Sequence, residues 1–244
     1  MPPPAFSRVE VARFGIVVGL GGIAYLADNA ARDGARGAGA QGSRVLDALT
    51  DFGNAYGSPG VVGLGTAMWL GGLVANRPTI AASGLRAIKT ITVSGFVTQA
   101  IKNAAGRARP DVPPNRRDDW QLLRGARTPG GDYESMASGH TTAAFAFAAA
   151  VTAEVKLRAP EHARLVGITT YGLAALTAYS RMHDDRHWLS DVTVGAGVGV
   201  VTGWAITRWH ATRPDNRIDR YLLRPSISAS ADGSARLGIS VLLR

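Results

Sequence analysis

Apolar residues occur along this chain in blocks, and the polar stretches between them mark out a series of helices. The first block, Phe14 to Ala27, holds fourteen residues, short of the roughly 20 that a helical membrane span needs. Arg8 and Arg13 precede it, as in a signal peptide, but no small-x-small triplet follows closely, and Ala38-Gly39-Ala40 lies far downstream. An uncleaved first helix or membrane anchor is therefore preferred over a cleaved signal. Asp28 to Gln41, mostly Ala, Gly, Arg and Asp, reads as a solvent-facing helix end and loop. Val45, Leu46, Leu49 and Phe52 predict a second helix closing at Gly53. Gly60 to Ala75 is a sixteen-residue apolar run, again short for a span. Leu85, Ile88, Ile91, Val93, Phe96, Val97 and Ile101 keep mostly helical spacing up to Lys102, and Pro110 is expected to stop that helix.

Asp111 to Asp132 is rich in Pro and Arg and reads as a long surface loop, a length usually tied to function. Apolar runs return at Thr141–Val155, Leu165–Tyr179 and Val192–Trp209. Near the C-terminus, Ser226–Ser230 and Leu237–Leu242 alternate with period two around Asp232-Gly233, the pattern of a β-hairpin or of a frayed terminus. The expected architecture is all-α, a bundle of about six core helices with a short C-terminal β-hairpin. It divides into an N-terminal segment over 1–41, a helical-bundle domain over 42–212 and a tail over 213–244.

Composition narrows the chemistry. No cysteine is present among the 244 residues, which removes disulfides, thiolate catalysis and Cys-based metal sites. A net charge of +9 favours an anionic partner: nucleic acid, a membrane surface or a phosphorylated substrate. With 46% hydrophobic and 18% charged residues the chain is not disordered, while a mean hydropathy of +0.04 is low for a chain built mostly of membrane spans.

Three blocks carry candidate chemistry. In Lys102-Asn103-Ala104-Ala105-Gly106-Arg107-Ala108-Arg109-Pro110, Lys102 and Arg109 stand seven apart, almost two helical turns, so both are expected on one helix face. Alone this block reads best as a solvated basic helix end. In Ser135-Met136-Ala137-Ser138-Gly139-His140, the Ser-Gly pair at a helix start offers backbone N–H groups, a hydroxyl and the positive dipole end to a phosphate; alone it reads as an ordinary N-cap with an incidental histidine. In Ser180-Arg181 to Asp191, His187 and Asp191 are i and i+4, so the carboxylate can accept from one ring nitrogen and leave the other as a nucleophile. Such pairs are more often structural. Asp184-Asp185-Arg186 reads as a solvated turn, His183 as a surface residue, and Trp188 and Trp204 as packing aromatics.

Taken together the three blocks resemble the signature K-x6-RP, PSGH, SR-x5-H-x3-D of the superfamily of type 2 phosphatidic acid phosphatases, bacterial non-specific acid phosphatases and vanadium haloperoxidases. The order and the spacing within each block agree: Lys102…Arg109-Pro110, Ser138-Gly139-His140 and Ser180-Arg181…His187…Asp191. Ala137 stands where the family usually has Pro, which loosens the approach to the second block without removing a functional group. The resemblance covers roughly Thr90 to Arg208. It implies an acid phosphatase/vanadium haloperoxidase-like helical bundle and a metal-independent phosphomonoesterase acting on lipid phosphates, isoprenoid pyrophosphates or soluble phosphate esters. His187 would be the nucleophile that forms a phosphohistidine, with Asp191 orienting and charging it. His140 would be the general acid, and Lys102, Arg109, Arg181, Ser138 and the Gly139 N–H would bind the phosphoryl oxygens. Those roles suit phosphoryl transfer, in which fixed cations and donors meet the charge on the equatorial oxygens.

No cofactor is implied, except vanadate under the haloperoxidase alternative; haloperoxidases are generally much longer chains. A third reading is a non-enzymatic basic protein binding anionic lipid heads or nucleic acid by charge; under the phosphatase reading no nucleic acid is expected. The expected partner is a phosphorylated small molecule or lipid. The expected location is extracytoplasmic, in the periplasm or on the outer face of a bacterial inner membrane, with membrane association.

Overall fold

The computed structural model describes residues 8–128 and 130–212, residues 222–223, and the strands 226–229 and 235–238. Helices α1 (Arg8–Leu26), α2 (Asp28–Arg36), α3 (Ala38–Gln41), α4 (Arg44–Ala55), α5 (Val61–Val74), α6 (Pro78–Ala105), α7 (Gly139–Arg158), α8 (Ala163–His183) and α9 (Leu189–Ala211) follow one another along the chain. The chain is an all-α bundle. The later apolar runs are α7, α8 and α9, each extended by polar residues at its ends.

Alanine and glycine make the bundle dense. α7 sits at its centre, and Phe147 and Val151 pack with Tyr56, Val61, Ala87, Ile91 and Ala174 from the surrounding helices. Along the seam with α9, a Cβ on Gly199 would stand 2.5 Å from the Thr142 carbonyl oxygen, and one on Gly203 2.5 Å from Ala149 Cβ. Small residues at every fourth position thus let the two backbones touch. One polar pair inside bridges α6 and α7: Thr98 Oγ1 donates to Thr142 Oγ1 at 3.1 Å.

Several boundaries differ from the sequence pattern. α1 is 19 residues long because its polar N-terminal turn continues the apolar run as helix. Asp28–Gln41 is not a solvent loop: it forms α2 and α3, the axis bends by 62° between α1 and α2, and Asp28 and Ala35 are buried. α6 ends before Pro110, at Ala105, because Gly106 takes the left-handed conformation (φ 55°) that caps the helix. Between α4 and α5 the residues Tyr56–Gly60 form a π-type turn around Pro59, where Gly57 departs from helical angles. Trp204 is 41% exposed, under the Arg13 guanidinium at 4.5 Å, so it is no core aromatic.

At the C-terminal end an antiparallel ladder pairs Ser226 with Gly238 and Ala229 with Ala235; Asp232-Gly233 and the residues flanking them lie outside the described residues. By length and composition, α6 and α9 are able to cross a membrane, and so is the bent α1–α2 pair if it counts as one span.

Candidate active site

The three sequence blocks are joined by their own backbones. Ser135 N–H donates to the Arg107 carbonyl at 3.1 Å, tying block two to block one, and Ser138 N–H donates to the Asp191 carbonyl at 3.1 Å, tying block two to block three. Trp188 Nε1–H closes the triangle on the Ala108 carbonyl at 3.1 Å. Ala137 is fully buried between two serines held in this way, so the approach to α7 is pinned on both sides without a proline.

His187 lies in the short connection between α8 and α9 and is 4% exposed. Its Nδ1 stands 2.8 Å from the Ser135 carbonyl oxygen and 3.8 Å from Asp191 Oδ2. A carbonyl only accepts, so Nδ1 carries the proton and Nε2 keeps its lone pair. The sequence expectation that Asp191 itself accepts from the ring is thereby corrected. The Asp191 oxygens are already engaged: Oδ2 accepts from Ser135 Oγ at 2.5 Å and Trp188 N at 2.9 Å, and Oδ1 from Arg107 Nη1 at 2.6 Å. Its carboxylate caps α9 and acts on His187 through charge. Burial pushes the His187 imidazole down to about 3, against the pull of Asp191, so the ring is neutral at pH 7.

Lys102 and Arg109 do converge, but not along a helix face. Lys102 is in the last turn of α6 and donates to the Glu134 carbonyl. Arg109 lies beyond the helix, its Nε donating to the Gly131 carbonyl at 2.7 Å. Lys102 also passes beneath the start of α7, where a Cβ on Gly139 would lie 3.9 Å from its Cε. Ser138 caps α7, its Oγ accepting from Thr141 Oγ1 at 3.0 Å, which leaves the hydroxyl proton available. Arg181 is gripped by Asn54 Oδ1 at 2.6 Å, and Asn54 in turn donates to Asp184 Oδ2 at 2.6 Å. Arg181 Nε is buried and has no hydrogen-bond partner among the described residues, which leaves a donor available to an acceptor.

His140, in the first turn of α7, lies within reach of all three cations. Burial first, then Arg181, Lys102 and Arg109, lower its pKa to about 4. Gly57 of the π-type turn lies against it, since a Cβ there would come within 2.8 Å of the ring.

A family model described as the PAP2 superfamily matches residues 83–215, a stretch that contains Lys102, Arg109, Ser138, Gly139, His140, Arg181, His187 and Asp191. The chain belongs to the PAP2 superfamily. Lipid A 1-phosphatase from Porphyromonas gingivalis is 33% identical over 113 residues, 46% of this chain; the chain covers 20% of that relative's length. The fold matches the crystal structure of a transmembrane PAP2-type phosphatidylglycerolphosphate phosphatase from Bacillus subtilis with a TM-score of 0.64 and 19% identity, over 85% of this chain and 98% of the other.

In this PAP2 chain sequence reasoning passed over several residues of the centre. Arg107 is fully buried and bonds both Asp191 and Asp28; its place inside the first block was the available signal. Ser135 acts through its carbonyl as much as its hydroxyl, and no side-chain pattern announces that. Asn54 and Asp28 lie outside the blocks altogether. His183 is buried rather than on the surface, and Asp185, read as part of a solvated turn, is buried against Arg32 at 2.6 Å.

Proposed function

We propose that this protein is a metal-independent lipid phosphate phosphatase that works through a phosphohistidine on His187. The observation that carries the reading is the pairing of a neutral imidazole, its Nε2 lone pair left free by the Ser135 carbonyl, with a cluster of Lys102, Arg109 and the partnerless Nε of Arg181 around a second imidazole. The cations, the Ser138 hydroxyl and the Gly139 N–H would receive the equatorial phosphoryl oxygens at the positive end of α7.

In the first step His187 Nε2 attacks phosphorus, the P–O bond to the substrate alkoxide breaks, and His140 gives that alkoxide its proton. In the second, water attacks the phosphohistidine, His140 takes a proton from it, the P–N bond breaks and inorganic phosphate leaves. Asp191 stabilises the imidazolium charge that grows on His187. The cations perform the charge neutralisation for which other phosphatases use metal ions.

A lipid substrate is favoured by the two phosphatases named above and by α6 and α9, which are long and apolar enough to cross a membrane. The membrane location, and an active site facing the extracytoplasmic side, belong to the same proposal. A panel of phosphate esters from p-nitrophenyl phosphate to phosphatidic acid and an isoprenoid pyrophosphate, assayed in detergent with and without chelator, tests it. The lipid esters are expected to turn over fastest, chelator to change nothing, and H187A to lose activity by about three orders of magnitude or more. A preference for soluble esters, or loss of activity on chelation, would overturn the corresponding part.

A further inference from the structure

The N-terminal elbow where α1 turns into α2 delivers a carboxylate into the centre from outside the family-matched stretch. Asp28, the first residue of α2, is fully buried. Its Oδ2 accepts from Arg107 Nη2 at 2.6 Å and from Ser190 Oγ at 2.8 Å, and its Oδ1 accepts from Ser190 N–H at 2.8 Å. The other guanidinium nitrogen, Arg107 Nη1, holds Asp191 Oδ1 at 2.6 Å and Ser190 Oγ at 2.7 Å. Arg107 is fully buried, flanked by the rings of Tyr25, Trp120 and Trp188, so one cation is shared between two carboxylates that are themselves removed from bulk solvent.

We infer that Asp28 is a positioning residue of the catalytic centre, acting through Arg107 on Asp191 and so on His187. With Asp28 present, Arg107 is divided between two anions, and the centre behind His187 keeps a net negative charge. Without it, Arg107 would neutralise Asp191 alone, and the charge that stabilises a cationic His187 would be lost. The elbow is thus part of the active site. It is held there by further contacts: Arg32 on Asp185 at 2.6 Å, and Arg117 Nη1 donating to the Tyr25 carbonyl at 2.9 Å and the Leu26 carbonyl at 3.0 Å.

This inference rests on the phosphohistidine reading, and the experiment separates the two. Wild type, D28N, D28E, S190A and R117Q are compared in the full chain for kcat, KM, inorganic phosphate binding and thermal midpoint, with H187A as reference. If wild type shows no hydrolysis, or H187A keeps it, the function itself fails. Given activity, D28N is expected to lose kcat by about tenfold or more, with KM and phosphate binding within about threefold, because the loss falls on charge that develops in the transition state. D28E, which restores the charge, recovers part of kcat. R117Q removes only the side-chain bonds to the Tyr25 and Leu26 carbonyls and keeps the backbone carbonyl that accepts from Arg107 Nε at 3.1 Å and Nη2 at 2.9 Å, so it lowers the thermal midpoint and leaves kcat within about twofold. Wild-type kcat in D28N, or an equal loss in R117Q, overturns the inference. Should D28N not fold, S190A decides: its near-isosteric cut of the bridging hydroxyl lowers kcat by about fivefold, and unchanged kcat overturns the inference.

Discussion

At the scale of the residue, the proposed mechanism rests on two histidines with different surroundings. His187 is neutral because it is buried, and its tautomer is set by a backbone oxygen. His140 is neutral for a further reason, the cations beside it. A bound phosphate dianion offsets those cations, so the proton affinity of His140 rises when the site is filled, which is when a general acid is needed. The sign is testable. In the empty enzyme the His140 ring loses its proton as the pH rises through about 4; with inorganic phosphate bound, the NMR titration midpoint is expected at least about one pH unit higher. A midpoint unmoved by phosphate would place His140 outside the anion site. Spacing within the three blocks, together with the family resemblance, points to Lys102, Arg109, Ser138, Gly139, His140, Arg181, His187 and Asp191 as the candidate site. It could not reveal Asn54, Asp28 or the Ser135 carbonyl, because each is brought in by a separate helix or by the backbone, and neither leaves a trace at fixed spacing.

At the scale of the element, the glycines of α9 are contact points, not helix breakers. On Gly199 a Cβ would sit 2.5 Å from the Thr142 carbonyl oxygen and 2.7 Å from Ala146 N, both backbone atoms that cannot swing away, whereas on Gly22 in α1 it would meet nothing within 4 Å. G199A is therefore expected to cost about 1–3 kcal/mol of stability by overpacking. G22A is expected to be neutral or to gain up to about 1 kcal/mol from helix propensity. Thermal midpoints of the two variants measure the contrast, and equal behaviour would refute the seam. The apolar runs made the long helices legible. α2 and α3 leave little apolar pattern because α2 buries only Asp28 and Ala35 and α3 buries no residue, and a charged residue such as Asp28 reads as solvent-facing. Pro110 marks too late an end for α6, because Gly106, four residues earlier, already turns the chain.

At the scale of the whole molecule, low mean hydropathy and long apolar helices coexist because the short helices α2 and α4, the helix ends and the Arg- and Asp-rich connection after α6 carry much of the charge, while the long helices expose apolar residues. Val18, Ile23, Phe96, Ile168 and Val74 are 71%, 67%, 74%, 65% and 86% exposed, more apolar surface than a protein surrounded by water usually presents. The protein is accordingly expected to stay in the pellet when membranes are washed with alkaline carbonate; release into the supernatant would contradict the membrane proposal. The central claim is tested most directly by a rapid alkaline quench of the enzyme during turnover of a ³²P-labelled ester. An acid-labile label on the peptide that carries His187, absent from H187N, is the predicted result; turnover without label, or label on another residue, would contradict it.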